Sequence, residues 1–411
     1  MIKPTENKRR QRIEMIDIAI LGFGVVGGGC ADLLSENRKK IATIIGDEVN
    51  IKYILDRRKF ENSPYKDKIV NDFDIILRDK SVKAIIETMG GARPAYDFTL
   101  SALEAKKSVI TSNKEVVSKF GDILLETARK NKVNYLFEAS VGGGIPLIRT
   151  ILHGISPSNE IDEIYGILNG TTNYILTKMF KSGISFETAL TEAKEKGYAE
   201  ADPTADIEGI DAARKTNILA AIMTGKLAGE ELIKTEGITR ITRTDVENAK
   251  KYKSEIKLLG RVVRRGDKVY AYVSPHFVPN ENPISQVSLV YNAVSVRGNY
   301  IGDTMLYGQG AGAKATASAV ISDLVNVLSG REATADIEFR RENDFPSDFS
   351  DFVCGRYVRF AECNIEKVMA VFDGAKILSA DAIVTKPMSE EAFGKAIASF
   401  NAANVIPVLS E

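Results

Sequence analysis

Tryptophan is absent from this chain of 411 residues, histidine occurs twice and cysteine three times. His153 and His276 are too few for a histidine-rich metal centre. Cys30, Cys354 and Cys363 are odd in number and form no C-x-x-C pair, so neither a disulfide framework nor a zinc site is expected. A reducing, cytoplasmic setting is the expectation, with Cys30 as buried filler after a glycine turn. Excess charge of either sign is also missing: 55 Lys and Arg face 55 Asp and Glu. The basic footprint of a nucleic-acid binder is therefore lacking. No apolar run approaches the roughly eighteen residues that span a bilayer. Residues 1–14 hold Lys3, Lys8, Arg9, Arg10 and Arg12 but no apolar stretch of a secretory signal, and read as a basic tail.

What is present suits a globular protein that binds a small molecule. Hydrophobic residues make up 44% and charged residues 27%, enough to bury a large core, and the length predicts two or three domains. The run Ile16 to Leu21 is short, β-branched and almost wholly apolar, as a strand buried on both faces of a parallel sheet should be. Similar runs recur at Ile51 to Leu55, Ala84 to Ile86, Ser108 to Thr111 and Asn134 to Phe137, with amphipathic stretches at Tyr96 to Ala105 and Asp122 to Arg129. This alternation predicts a doubly wound, Rossmann-type α/β domain over residues 15–140. After Gly142-Gly143-Gly144 the texture changes, and a second α+β domain with an open sheet is expected over 141–308, with strands at Val269 to Val273 and Ala293 to Arg297. Its edge could make a homodimer or a higher homo-oligomer. A small-residue helix, Ala315 to Leu328, packs closely on another backbone, and residues 309–330 are expected to return to the first domain. A linker over 331–350 precedes a small unit over 351–411, read as strand, helix, two strands, helix, strand.

Gly22-Phe23-Gly24-Val25-Val26-Gly27 has G-x-G-x-x-G spacing between the first strand and a helical pattern. Such glycines let the chain turn and let a pyrophosphate reach backbone N–H groups at a helix N-terminus. Asp56 ends the second apolar run, where an acid bonds the ribose hydroxyls of NAD, while Arg57 and Arg58 could equally hold the 2′-phosphate of NADP. The cofactor stays open between the two.

Five carboxylates, Glu200, Asp202, Asp206, Glu208 and Asp211, crowd into twelve positions and must be answered by solvent, by Arg214 and Lys215, or by a cationic ligand. Asp211 and Lys215 stand four apart, on one face of a predicted helix. The apolar flank Ile218 to Ile222 predicts that this helix is buried, where a lysine can be tuned for proton transfer.

From Ala193 to Lys215 the chain resembles the homoserine dehydrogenases, matching Ala-x-x-x-Gly-Tyr-Ala-x-x-Asp-Pro-x-x-Asp-Ile-x-Gly-x-Asp-x-x-x-Lys without a gap. The resemblance continues through Asn169 to Leu176, Ser112-Asn113-Lys114, Glu138 to Pro146, Asn292-Ala293-Val294 and Gly308 to Gly312. It implies the reversible NAD(P)-dependent reduction of aspartate 4-semialdehyde to homoserine. Lys215 would exchange the hydroxyl proton and Asp206 hold the reacting oxygen. Glu200 would bind the substrate ammonium, Lys114 lie near nicotinamide and substrate, and Asp211 orient the group. Tyr198, Asn169, Gly170 and Thr171 would line the pocket. Thr88, Ser112, Asn113 and Gly310 would join the glycine turn around the cofactor. The resemblance further implies a monovalent cation, Na+ or K+, held by Glu138 and the carbonyls of Val141, Gly143 and Ile145.

The last unit is similar in element order to an amino-acid-sensing ACT module but degenerate, since Ala361-Glu362-Cys363-Asn364 replaces its usual Asp-x-Pro-Gly turn. Ala313-Lys314-Ala315-Thr316 departs from the family's frequent proline before the threonine. Two other readings are another amino-acid dehydrogenase or imine reductase, and a catalytically silent sensor.

Overall fold

The computed structural model describes residues 15–330 and 337–410. The expected basic tail and residues 331–336 of the expected linker lie outside the described residues.

Six parallel strands open the fold: β1 (Met15–Leu21), β2 (Glu48–Leu55), β3 (Ile69–Val70), β4 (Val82–Glu87), β5 (Ser108–Thr111) and β6 (Tyr135–Leu136), in the order β3-β2-β1-β4-β5-β6. This is the Rossmann-type sheet. Ile18, Ala19, Ile20 and Leu21 are wholly buried, which is why β1 reads as a continuous apolar run rather than an alternation. The strand order reverses between β1 and β4, so a crevice opens at their carboxyl ends, where such sheets bind ligands. The small-residue helix Ala313–Leu328 closes one face against the Val25–Glu36 helix. A Cβ on Gly29 would lie 3.1 Å from the Ala313 carbonyl oxygen, so the two backbones nearly touch.

The second sheet is mixed. It contains β7 (Ile161–Ile167), β9 (Lys234–Thr235), β10 (Ser254–Arg265), β11 (Lys268–Pro279), β12 (Tyr291–Gly298) and β13 (Gly302–Gln309), with β8 (Lys226–Leu227) standing apart in a two-stranded ladder. The order is β13-β12-β7-β10-β11-β9, antiparallel except that β9 runs parallel to β11. Helices Gly170–Ser182, Ile210–Thr224 and Arg243–Lys251 pack on this sheet.

Strands β7 and β10 carry no apolar alternation in sequence because they bury charge. Glu163, Glu255, Lys257 and Arg261 are all buried. Arg261 Nε donates to Glu163 at 2.9 Å, while Lys257 Nζ meets Glu255 at 2.9 Å and the Val287 carbonyl at 2.7 Å. Each buried charge is thus paired, the condition under which burial is tolerable.

The C-terminal unit is a four-stranded antiparallel sheet of Lys376–Ser379, Ala382–Val384, Arg356–Glu362 and Asn401–Pro407, with helices Ile365–Val371 and Glu390–Ile397. It docks on β11, where the Phe277 and Tyr357 rings stack at 4.5 Å. Asp245 fastens the joint by accepting from Arg359 Nε at 2.7 Å and Tyr357 Oη at 2.9 Å.

Candidate active site

At the end of β1 the chain turns at Gly22, whose φ of +89° lies in the left-handed region that glycine adopts without strain. Gly27 is held more tightly still: a Cβ there would stand 2.0 Å from the Gly22 carbonyl oxygen and 2.8 Å from Thr88 Oγ1. A Cβ on Gly24 would meet only Arg58 Nη2, at 4.0 Å. The three glycines therefore divide the work: Gly22 turns, Gly27 lets helix meet strand, and Gly24 leaves backbone open for an incoming phosphate. Thr88 Oγ1 braces the turn by donating to the Gly22 carbonyl at 2.8 Å. Val25 faces outward and Val26 is half-buried, while the Phe23 ring stands edge-on to Phe60 and Tyr65. A cleft of about 550 Å³ runs from Gly22 and Gly24 past Thr88 to Asp56, Arg57 and Arg58.

Asp56 has little capacity to spare. Its Oδ2 accepts the Phe23 N–H at 2.8 Å and Arg58 Nη2 at 2.8 Å, and its Oδ1 accepts Arg58 N at 2.9 Å and Nε at 3.0 Å. These bonds fill the four lone-pair positions of a carboxylate. The Arg58 bonds, foremost, hold the Asp56 carboxyl down at about 2.

Beyond β5, half-buried Ser112 leads to Asn113, whose side chain serves the protein itself. Its Oδ1 caps the Lys114–Asn131 helix by accepting Val116 N–H at 3.2 Å, and its Nδ2 donates to the carbonyls of Met89 at 3.2 Å and Gly91 at 2.8 Å. Lys114 opens that helix and reaches across to the second unit, with Nζ 2.8 Å from Asp211 Oδ1.

Asp211 is the centre of the cluster. Lys215, one turn further along the Ile210–Thr224 helix, places Nζ 2.7 Å from Asp211 Oδ2 and donates also to the Leu168 carbonyl at 2.7 Å. Asn169 Nδ2 donates both to Asp211 Oδ2, at 2.9 Å, and to Asp206 Oδ1, at 2.7 Å. Asn169 is itself fixed as the N-cap of the Gly170–Ser182 helix, accepting Thr172 N–H at 2.9 Å. A Cβ on Gly170 would lie 2.7 Å from the Val290 carbonyl oxygen, so that helix starts hard against its neighbour.

Electrostatics follow the geometry. Burial alone would raise the Asp211 pKa, but the charges of Lys215 and Lys114 overcome it and hold the carboxyl well below its usual range. Burial lowers the Lys215 pKa, with Lys114 adding to the effect and Asp211 opposing it. Asp206 is raised, chiefly by burial, against the lowering effect of the Asn169 bond. A lysine shifted down and an acid shifted up, sharing one network, bring the two groups closer in proton affinity than they are in water.

The carboxylate crowding is answered in part as expected, by solvent at exposed Glu200, Asp202 and Glu208 and by Lys215 at Asp211, but not by Arg214. Lys215 and Lys114 take Asp211, whereas Arg214 turns to Glu115 and Glu230, at 3.3 Å each. Glu200 and Tyr198 are exposed, and no described contact joins Glu200 to the cluster. The loop that carries them is anchored, since Thr171 Oγ1 donates to the Tyr198 carbonyl at 2.6 Å and the Tyr198 ring meets Tyr174 at 5.1 Å.

Glu138 is buried, and burial raises its pKa. Oε1 accepts the N–H groups of Leu147 at 2.6 Å and Ile148 at 2.8 Å, and Oε2 that of Arg149 at 2.8 Å. One lone-pair position is left to a carboxylate so engaged. None of the described backbone hydrogen bonds outside regular elements is accepted by the carbonyls of Val141, Gly143 or Ile145. Such an oxygen-only donor set with one carboxylate fits a hard monovalent cation. Gly143 also packs on Gly310, whose carbonyl carbon would lie 2.4 Å from an added Cβ. Gly310 thus closes the seam between the units.

Glu87 went unnoticed in the sequence. It ends β4, is wholly buried, and accepts Thr111 Oγ1 at 2.5 Å and Met89 N–H at 2.7 Å. Burial pushes its carboxyl up to about 7. The available signal was a lone acid closing an apolar strand at the point where the sheet order reverses. His276 is buried against the Ser274 carbonyl at 2.8 Å and pushed down to about 3 by burial, so it packs as a neutral ring. Cys30 is likewise buried and pushed up to about 12.

Comparisons with known proteins give the family. Residues 22–138 match the homoserine dehydrogenase NAD-binding domain and residues 146–325 match the homoserine dehydrogenase family proper. The homoserine dehydrogenase of Bacillus subtilis is 40% identical over 319 residues, 77% of this chain and 73% of that protein. A homoserine dehydrogenase structure from Thiobacillus denitrificans superposes with a TM-score of 0.88 at 30% identity, covering 97% of this chain and 99% of that one. A hyperthermophilic archaeal homoserine dehydrogenase mutant, solved in complex with NADPH, gives a TM-score of 0.65 at 28% identity over 76% of this chain and 98% of its own. With a glycine turn at the end of β1 and a buried group of lysine, aspartate and asparagine on the second unit, the chain belongs to the homoserine dehydrogenases, NAD(P)-dependent oxidoreductases.

Proposed function

We propose that Lys215 is the acid and base of the homoserine dehydrogenase reaction. The observation that carries this reading is the lysine's hydrogen-bond count: two of its three N–H groups go to Asp211 and Leu168, leaving one for a substrate oxygen. When bound, the nicotinamide accepts or returns the hydride. In oxidation the carbinol C–H electrons leave as hydride, and the hydroxyl proton passes to neutral Lys215 Nζ as the C=O forms. In reduction charged Lys215 returns that proton to the carbonyl oxygen. Asp206, joined to the same network through Asn169, holds the reacting oxygen or a water beside it, and Lys114 keeps part of its donor capacity for the substrate. Glu200 and Tyr198, on the anchored loop, meet the substrate ammonium from the solvent side. The test is turnover of homoserine with NAD and with NADP in wild type and in Lys215→Ala; a variant that keeps full turnover overturns the assignment.

NADP is the better fit for the cleft, because Arg58 already fills Asp56 and presents a guanidinium where a 2′-phosphate would lie, with Arg57 adjacent. Glu138 with the carbonyls of Val141, Gly143 and Ile145 would hold Na+ or K+ and stiffen the crossing between the units. Activity unaffected by exchanging K+ for Na+ or for a bulky ammonium salt would overturn that part. A homodimer across the open β13 edge is supported by the exposed Tyr300, Ile301, Met305 and Tyr307; a monomeric mass by light scattering would refute it. Free thiols at Cys30, Cys354 and Cys363 suit the cytoplasm.

A further inference from the structure

Where the C-terminal unit meets the second sheet, the two enclose a cavity of about 260 Å³, none of whose lining residues belongs to the site described above. It is smaller than the roughly 300–1,000 Å³ typical of drug-sized ligand pockets, so its scale is that of a small metabolite. One wall is aromatic, formed by Tyr272, Phe349, Phe352 and Phe393. Charges of both signs, from Lys234, Glu236, Arg240, Arg356 and Glu390, share the remaining lining with neutral residues, but they are unequal in what they have left to offer. Glu390 accepts Arg356 Nη2 at 2.6 Å and Lys234 Nζ at 3.0 Å, and Glu236 is paired with Arg240. Both acids are therefore committed to cations.

The spare capacity is on the donor side. Arg356 is 3% exposed, and it gives Nη1 protons to the carbonyls of Cys354 at 2.9 Å and Met388 at 3.0 Å besides its bond to Glu390. A guanidinium has five N–H groups, so Nε–H and one Nη2–H have no partner among the described residues. Lys234 Nζ spends one proton of three. A buried arginine with open donors beside an aromatic wall is suited to a carboxylate on an apolar body.

The cavity shares backbone with the catalytic turn. Lys234–Thr235 continues to Glu236, whose N–H bonds the Val273 carbonyl at 2.8 Å, and to Ile238, whose N–H bonds the Ile207 carbonyl at 2.8 Å. A Cβ on Gly237 would lie 2.1 Å from that Ile207 oxygen, and one on Gly209 would lie 3.0 Å from Thr235 Cγ2. Residues 234–240 are thus at once a cavity wall and the backing of the turn that carries Asp206 and leads into Asp211.

We propose that this cavity binds a small carboxylate with an aromatic or branched apolar body, and that its occupancy is transmitted through Gly237 to the Asp206–Asp211 turn. Calorimetry on the full chain with phenylacetate, its neutral amide and L-phenylalanine tests the first part without recourse to activity. Phenylacetate should bind once per chain and about tenfold more tightly than the amide, and Arg356→Gln should cost about tenfold. Should Arg356→Gln fail to fold, Lys234→Ala, at a side chain more than half exposed, should still weaken binding severalfold. Saturating phenylacetate should change the KM for homoserine about twofold or more. No saturable binding, equal binding of the amide, or tighter binding of L-phenylalanine than of phenylacetate overturns the carboxylate site. Binding with unaltered homoserine kinetics overturns the coupling.

Discussion

Lys215 and Asp211 meet at 2.7 Å one helical turn apart, both buried, and the acid's second oxygen is taken by Lys114 at 2.8 Å. Two cations on one carboxylate leave an excess of positive charge that Asp211 chiefly restrains, with Asp206 adding a smaller effect on Lys215. Asp211→Asn should therefore destabilise the fold by about 3–5 kcal/mol, the usual cost of breaking a buried pair. It should also move the rising, acid-side limb of the oxidation profile to lower pH, because oxidation needs neutral Lys215 and Asp211 opposes the downward shift of that lysine. Thermal melts and a pH series of kcat/KM check both; a profile that moves upward would contradict the arrangement.

Removing the lysine has a different signature. Lys215→Met should lower kcat in both directions by about 10²–10⁴, the range for loss of a general acid–base. Cofactor affinity, measured by nicotinamide fluorescence, should change less than about twofold, since no cofactor-binding role is assigned to Lys215. The melting temperature should hold, because Asp211 keeps Lys114 as its partner.

Glu87 gives a pH dependence of stability whose sign is fixed by its raised pKa. Unfolded, the carboxyl titrates near the ordinary 4.5; folded, it holds its proton to about 7. Between those values the native state binds more protons than the unfolded state, so stability falls as pH rises, by about 1.4 kcal/mol per unit from this group, and levels off above the folded value. Glu87→Gln should flatten the urea-unfolding curve of stability against pH in that window, with its largest relative gain near pH 8.

The glycine turn separates fold from ligand. Gly27→Ala places a methyl 2.0 Å from the Gly22 carbonyl oxygen, and should cost about 1–3 kcal/mol as an overpacked backbone contact. Gly24→Ala meets nothing nearer than 4.0 Å, so its melting temperature should match wild type while the cofactor KM rises about tenfold. A stable Gly27→Ala would contradict this division.

Arg58→Ala should free Asp56 for ribose hydroxyls. The ratio of kcat/KM for NADP over NAD should then fall by about tenfold or more, with the NAD value itself rising. Measuring both cofactors in the same buffer decides it.

Much of the frame was readable before any coordinates. Ile16 to Leu21 announced a two-face-buried strand because Ile18 to Leu21 are apolar and wholly buried, and the glycine turn followed from backbone sterics at Gly22. Strands β7 and β10 were missed because Glu163, Lys257 and Arg261 break the apolar pattern, and Glu163 and Arg261 find each other only across 98 residues. Distance in sequence hid the cluster's second cation: Lys114 is 97 residues from Asp211, and the packing of the Lys114–Asn131 helix on the Ile210–Thr224 helix brings them together. Glu87 went unremarked, since burial depth cannot be read from one acid.

The reach of Lys114 to Asp211 means that nucleotide unit and chemistry unit are not interchangeable parts. A transplanted nucleotide-binding module from another dehydrogenase could clasp its coenzyme perfectly well, yet unless it brought an ammonium to the same corner the hybrid would be sluggish. Designers of chimaeras would do well to graft this corner first.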